Sequence, residues 1–191
     1  MTRLVTLHGW GNPAPGYAQK FHERLQKLVG PLRLVELHYG HLVRWYVLGG
    51  LAYRLLPGVG QHVRAILAHA LQAGLTAGEP LILVTHSYGC LVSFDLGFLP
   101  VDLYVTMDLR LNWLRPCAPA PVVKGSWVNL WDSDSWFGGK LARRWPEASD
   151  VAVDVAGRGN WLGIRDHACW WESAKAAAEV AHAWRVLRPR P

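Results

Sequence analysis

The segment "LILVTHSYGCLVSF" places a histidine and a serine, His86 and Ser87, where an apolar strand-like run ends. A strand that turns sharply into a helix at Ser87 holds the hydroxyl exposed above the sheet, where a base can remove its proton. The start of the following helix also brings backbone N–H groups close to a developing oxyanion. The residue types therefore predict a serine nucleophile, and the simpler alternative is that Ser87 only caps the helix.

Such a turn favours small residues two positions before and two positions after the serine. Gly89 meets this requirement, whereas Thr85 stands where glycine is usual. Because a β-branched side chain is bulkier than hydrogen, we expect either a slightly more open turn at Ser87 or a smaller neighbouring strand.

The first strand-like run, "LVTLHGW", and the glycine-containing loop after it complete a pattern that resembles the α/β-hydrolase superfamily, in particular its small lipase- and esterase-like members. The resemblance implies a serine hydrolase that cleaves carboxylic esters through an acyl-enzyme, without a metal ion or an organic cofactor. It also implies that the backbone N–H groups of Trp10 and Tyr88 form the oxyanion hole. His8 is expected to be structural rather than catalytic.

The same resemblance asks for an acid after the serine. The segment "WVNLWDSDSW" is similar to the Trp-x-Asn strand of certain lipase-like hydrolases, in which an aspartate just past the strand is the acid, and Asp134 is favoured on this ground. Asp132 and Asp108 remain alternatives, and a local turn hydrogen bond is the ordinary role for each. The sequence departs from the family at the next two positions, where Ser135 and Trp136 replace the common Pro and Val.

The expected base follows the acid in the chain. In "GIRDHACWW", His167 precedes the predicted C-terminal helix, which is where the resemblance implies the general base, and Asp166 beside it either supports it or caps the helix. His38 and His41 have the spacing of a ligand pair but no third ligand nearby, so no metal site is predicted.

Apolar runs and helical periodicity alternate along the chain. Strands are predicted at 3–9, 32–39, 81–87, 102–108, 126–132 and 150–157. Helices are predicted from Tyr17 onward, around 63–74, from Tyr88 to about Leu96 and through the Ala-rich C-terminal segment. This alternation predicts an α/β fold with a mostly parallel central sheet and helices on both faces, as a single domain over residues 1–191. The loops at the carboxyl edge of such a sheet converge on one crevice.

An apolar and aromatic insert at 41–60 follows the second predicted strand. It is interpreted either as a lid or pocket wall over the site or as a further buried segment. Trp45 and Tyr46 in the insert, together with Trp136 near the acid, are predicted to bind substrate, because an apolar lining suits an acyl chain.

The 20 basic and 14 acidic residues give a net charge of +6, but the basic residues are scattered, so nucleic-acid binding is not expected. The three cysteines form no disulfide framework, and the N-terminus has no signal-peptide pattern, which together indicate the cytoplasm. The most membrane-like run has only nine residues between Arg44 and Arg54, against the roughly 20 that a transmembrane helix needs.

Three function classes remain. The first is an ester-cleaving serine hydrolase, and the second is a catalytically inactive protein of the same fold that binds a small ligand or a partner. The third is a module that binds a membrane surface through the apolar insert and the positive charge.

Overall fold

The computed structural model describes residues 1–9, 13–39, 57–109, 119–135, 138–155 and 169–187. The strands in these segments are β1 (Thr2–Leu7), β2 (Leu32–Leu37), β3 (Leu81–His86), β4 (Phe98–Leu99), β5 (Leu103–Met107), β6 (Val122–Val123), β7 (Ser126–Trp131) and β8 (Ala148–Ala152). The helices are α1 (Gln19–Val29), α2 (Pro57–Thr76), α3 (Tyr88–Phe94) and α4 (Ala174–Leu187), and a 3₁₀ turn spans Cys169–Glu172.

Six of the described strands form one sheet in the order β2-β1-β3-β5-β7-β8. Every pairing in it is parallel, so the carboxyl ends of the strands meet at one edge. The strand β3, which precedes Ser87, lies between β1 and β5. The predicted mostly parallel α/β sheet is therefore confirmed.

Alternate residues of the central strands enter two separate cores, one on each face of the sheet. On one face, Leu4 and Ile82 pack with side chains from α1 and α4. On the other, Val5 and Leu83 pack with side chains from α2 and α3. Burial of both faces explains why these strands read as continuous apolar runs rather than as alternating ones.

Three details differ from the sequence predictions. The helix α2 continues to Thr76, two residues past Gly74, and the glycine serves instead to let the helix pass close to the Leu81 side chain. The last strand covers 148–152 instead of 150–157, since its register with β7 ends where Ala152 pairs with Trp131. The two-residue strands β4 and β6, which pair with each other, were not predicted.

The predicted insert at 41–60 is only partly described. Residues 57–60 are the first turn of α2, and residues 41–56, with Trp45 and Tyr46, lie outside the described residues. Within the described ranges, no helix has both the length and the apolar character that a bilayer crossing requires.

The start of α1 is held by a carboxylate from a neighbouring strand. Glu36 in β2 accepts the backbone N–H of Gly16 at 2.7 Å and that of Ala18 at 2.6 Å. These two N–H groups belong to the N-cap residue and to the turn before it, so the Glu36 carboxylate joins the start of α1 to the sheet.

We expect Glu36→Gln to lower the free energy of unfolding by about 1–2 kcal/mol, because two charge-assisted hydrogen bonds at the start of α1 are weakened. Urea unfolding measures the change. The control is Glu23→Gln, an exposed residue of the same helix, for which a change within about 0.5 kcal/mol is expected. Equal effects of the two substitutions would contradict the role of Glu36 in anchoring the start of α1.

Candidate functional site

Ser87 lies in a strained turn between β3 and α3. Its backbone has φ 53° and ψ −121°, in a region that residues other than glycine rarely adopt. Its N–H donates to the Met107 carbonyl oxygen at 2.9 Å, and its carbonyl accepts the N–H of Cys90 at 3.0 Å. Within the described part of the chain, the Ser87 side chain makes no capping hydrogen bond to α3. Helix capping therefore does not account for this strain, which is typical of a functional position.

Two glycines let the end of β1 pass directly against this turn. A Cβ on Gly9 would lie 2.5 Å from Ser87 Cβ and 3.1 Å from its Oγ. A Cβ on Gly89 would lie 2.7 Å from the carbonyl oxygens of both Leu7 and His8. Any larger residue at either position would separate the two segments, so the glycine requirement comes from close backbone packing.

Thr85, the unusual residue before the turn, is completely buried. Its hydroxyl oxygen lies 3.2 Å from both Cys90 Sγ and the Val105 carbonyl oxygen, the two acceptors that its one proton can reach. Burial raises the pKa of the Cys90 thiol to about 12, so the thiol stays protonated. The small side chain that lies against Thr85 is therefore that of Cys90 in α3, after the turn, rather than a residue of the neighbouring strand.

A group of aromatic rings stands at the ends of β1 and β2, beside Ser87. The His8 ring stacks on Tyr39 with centroids 4.3 Å apart and planes at 5°, and Tyr17 meets His8 edge-on at 5.4 Å. Trp171, from the 3₁₀ turn, contacts Tyr17 at 5.1 Å and His86 at 6.1 Å between ring centroids. His8 and His86 are thus both packed among rings next to the nucleophile.

His8 is almost fully buried, and its ring is held as a neutral group. Burial is the main reason that the pKa of His8 is lowered to about 4, while its hydrogen bond with the Gly9 carbonyl acts in the opposite direction. Its Nδ1 lies 3.0 Å from that carbonyl oxygen, which can only accept, so Nδ1 carries the proton. The contacts fit the structural role expected for His8.

The three candidate acids occupy different environments. Asp108 follows β5 at φ 53° and is 1% exposed. Because Met107 pairs with His86, Asp108 lies next to Ser87 at the sheet edge. Asp132 is also buried, and its carboxylate accepts the N–H of Asp134 at 2.9 Å and that of Val155 at 3.1 Å. Asp134 itself is exposed in the loop that Asp132 holds.

Sequence reasoning missed a polar network that crosses three strands. The Thr106 hydroxyl donates to Asn129 Oδ1 at 3.0 Å, and Asn129 Nδ2 donates to Asp150 Oδ1 at 2.7 Å. The Asp150 carboxylate also accepts the N–H groups of Leu141 and Ala142 at 2.8 and 3.0 Å. The network anchors the segment that follows the acid loop. The sequence feature that could have indicated this network is the asparagine within the apolar run "WVNLW".

Gly138, in the same segment, lies between two of the candidate acids. A Cβ there would lie 2.5 Å from Asp108 Oδ1 and 3.3 Å from the backbone nitrogen of Asp132. The loop after β7 is therefore packed directly on the Asp108 carboxylate, which places the ends of β5 and β7 in one polar region.

Of the predicted site residues, the structure brings Ser87, Tyr88 and the three aspartates to the same edge of the sheet. Tyr88 begins α3 directly after the nucleophile. The remaining predicted residues lie outside the described ranges, namely Trp10, Trp45, Tyr46, Trp136 and His167. Among the described residues, no three histidine, cysteine or acidic side chains are grouped as metal ligands.

Solved structures share this architecture. A protein from Xanthomonas campestris pv. campestris that is assigned to the α/β-hydrolase superfamily superposes with a TM-score of 0.59 at 19% identity, covering 96% of this chain and 99% of the other. A cutinase-like protein from Cryptococcus sp. superposes with a TM-score of 0.52 at 14% identity, covering 97% and 93%. A Trichoderma reesei cutinase in complex with a phosphonate inhibitor gives a TM-score of 0.52 at 15% identity, covering 95% and 74%.

No protein-family model and no curated protein sequence matches the chain. At these low identities the structural likeness establishes the fold alone. The chain therefore has the α/β-hydrolase fold expected from the resemblance of its first strand and its serine turn.

We expect Gly89→Ala to destabilise the protein by about 1–3 kcal/mol, because the new methyl group would collide with the carbonyls of Leu7 and His8. This is opposite in sign to the usual gain when alanine replaces glycine in a helix. The control is Gly58→Ala in α2, where no atom lies within 4 Å of the added carbon and a gain of up to about 1 kcal/mol is expected. Urea unfolding of both variants checks the contrast; a stabilising Gly89→Ala would rule out the close approach.

The lowered pKa of His8 predicts acid sensitivity. An unfolded histidine titrates near pH 6.5, whereas folded His8 has a pKa of about 4, so the unfolded state gains a proton first as the pH falls. The contribution of neutral His8 to the free energy of unfolding is therefore fully present above about pH 6.5. It falls by about 3 kcal/mol as the pH is lowered to 4. Urea unfolding from pH 8 to pH 4 should show a shallower loss for His8→Phe, which keeps a ring but does not titrate. Identical slopes would show that His8 does not contribute.

Proposed function

We propose that the protein is a serine hydrolase that cleaves carboxylic esters, with Ser87 as the nucleophile. The strained, half-buried turn at Ser87 carries the proposal, since a positive φ at a serine between a strand and a helix is costly and otherwise unexplained. The fold adds support, because two of the similar structures are a cutinase and a cutinase-like protein, and cutinases are ester hydrolases.

In the proposed reaction, the Ser87 hydroxyl attacks the acyl carbonyl while His167 takes its proton and then returns it to the leaving alcohol. Water subsequently cleaves the acyl-enzyme with the same histidine as base. The N–H groups of Tyr88 and Trp10 stabilise the oxyanion, and removal of one such donor typically costs about 3–4 kcal/mol of transition-state stabilisation.

Asp134 is the proposed acid that orients His167 and stabilises its charged form. Its position after β7 supports this role, as does the anchoring of its backbone by the Asp132 carboxylate. Asp108 competes for the role through its burial and its place beside Ser87, and Asp132 competes through its position directly after the strand. Because all three carboxylates lie at the same edge of the sheet, substitutions are needed to distinguish which of them is the acid.

The substrate is proposed to be an ester with an apolar acyl chain. Trp45 and Tyr46 in the insert and Trp136 beside the acid loop would line its binding site, because aromatic and aliphatic side chains favour an apolar chain over water. This assignment rests on the residue types of the insert.

We expect the protein to hydrolyse p-nitrophenyl esters, tested from acetate to palmitate, and to react with a fluorophosphonate at Ser87. Ser87→Ala should lower kcat by about 10⁴-fold or more and abolish labelling, and His167→Ala should lower kcat by a similar factor. The chain length that gives the highest kcat/KM then reports the size of the acyl site. The matched control is Ser126→Ala, at the start of β7 and the opposite edge of the sheet, which should retain full activity.

Asparagine variants of the three aspartates identify the acid. Asp134→Asn should lower kcat by about 10³- to 10⁴-fold, because the imidazole loses its charged partner, while the other two keep more activity. The control is Asp154→Asn, an exposed residue paired with Lys175 at 2.8 Å, which should be unaffected. A parent protein inert to every ester and to the fluorophosphonate would overturn the proposal in favour of a binding role.

A further inference from the structure

Tyr39, two residues beyond the end of β2, contacts the backbone of residues 8–9, which directly follow β1. Its hydroxyl oxygen lies 2.7 Å from the carbonyl oxygens of both His8 and Gly9, and its one proton is shared between these two acceptors. Its ring is stacked on the His8 ring, whose Nδ1–H also donates to the Gly9 carbonyl at 3.0 Å. Two donor protons, that of the Tyr39 hydroxyl and that of His8 Nδ1, therefore face the two consecutive carbonyl oxygens of His8 and Gly9.

These hydrogen bonds hold the same backbone segment, residues 8–9, that contacts Ser87. A Cβ on Gly9 would lie 3.1 Å from Ser87 Oγ, so the Gly9 backbone is among the nearest neighbours of the reacting oxygen. On the other side, the His8 carbonyl lies against Gly89 at the start of α3. The segment is thus held between Tyr39 and the serine turn.

The direction of these carbonyls matters for the chemistry proposed at Ser87. A carbonyl oxygen turned toward a developing oxyanion repels it, whereas a backbone N–H turned toward it stabilises it. Holding the carbonyl oxygens of His8 and Gly9 therefore keeps two repelling dipoles away from an oxyanion formed at Ser87.

We infer that the Tyr39 hydroxyl is a positioning residue for the oxyanion hole, an inference that rests on the proposed function. The hydroxyl and the Nδ1–H of His8 together hold the carbonyl oxygens of His8 and Gly9, which keeps both from turning toward the oxyanion. The stacked His8 ring sets the position of the phenol and adds the second donor.

The test compares Tyr39→Phe, which keeps the stacked ring and removes only the hydroxyl, with the parent protein. Tyr17→Phe is the matched control, since Tyr17 belongs to the same ring cluster, but its hydroxyl contacts Thr6 Oγ1 at 2.9 Å and the backbone N–H groups of Leu37 and His8 rather than the two carbonyl oxygens. For each protein, kcat and KM are measured with a p-nitrophenyl ester and with the thiono ester in which sulfur replaces the carbonyl oxygen. A well-positioned oxyanion hole discriminates against the larger sulfur anion, which is a poorer hydrogen-bond acceptor.

Tyr39→Phe is expected to lower kcat for the oxygen ester by about 10- to 100-fold with little change in KM. The ratio of kcat/KM for the oxygen ester to that for the thiono ester should fall as well, whereas Tyr17→Phe should leave kcat within about 3-fold and the ratio unchanged. Both substrates are measured on one preparation, so the fraction of folded protein cancels from the ratio.

An unchanged ratio in Tyr39→Phe, with or without a lower kcat, would overturn the inference, because a purely structural loss affects both substrates alike. An equal fall in Tyr17→Phe would overturn it too, since the effect would then belong to the whole ring cluster. Failure of the parent protein to cleave the ester or to react with the fluorophosphonate would overturn the proposed function and this inference together. The parent's own activity thus separates the two failures.

Discussion

The site depends on the close approach of two backbone segments. Residues 8–9, directly after β1, pass so near the turn at 87–89 that neither Gly9 nor Gly89 has room for a side chain. Parallel pairing of β1 with β3 brings these segments together, although almost 80 residues separate them in the chain. Dense packing transmits small displacements, so the geometry at Ser87 is set as much by β1 as by its own strand and helix.

The sequence was most informative where local pattern and buried structure agree. Strands covered on both faces must be apolar throughout, so the order of the sheet elements and the turn at Ser87 could be read directly. The pair β4 and β6 is too short to produce a pattern, and the end of β8 is set by its partner strand rather than by its own residues. Register is a property of two strands, and one strand's sequence does not determine it.

The candidate site was harder to predict, because its contacts join residues far apart in the chain. Nothing near Asp150 reveals that its carboxylate meets Asn129 and the backbone of 141–142, and nothing near Tyr39 reveals its contact with His8. Asp108, Asp132 and Asp134 likewise look equivalent as strand-end aspartates, and only burial and hydrogen bonding distinguish them. The acid and base assignments remain predictions, since His167 lies outside the described residues.

The contact between Thr85 and Cys90 has a consequence for how such chains diverge. Thr85 Oγ1 and Cys90 Sγ lie 3.2 Å apart and both residues are fully buried, so we expect a larger side chain at position 90 to be tolerated better with glycine than with threonine at position 85. The two positions are therefore expected to covary among relatives, each state opening substitutions that the other forbids. A motif search that requires glycine two residues before the serine would therefore miss every relative that has threonine at that position.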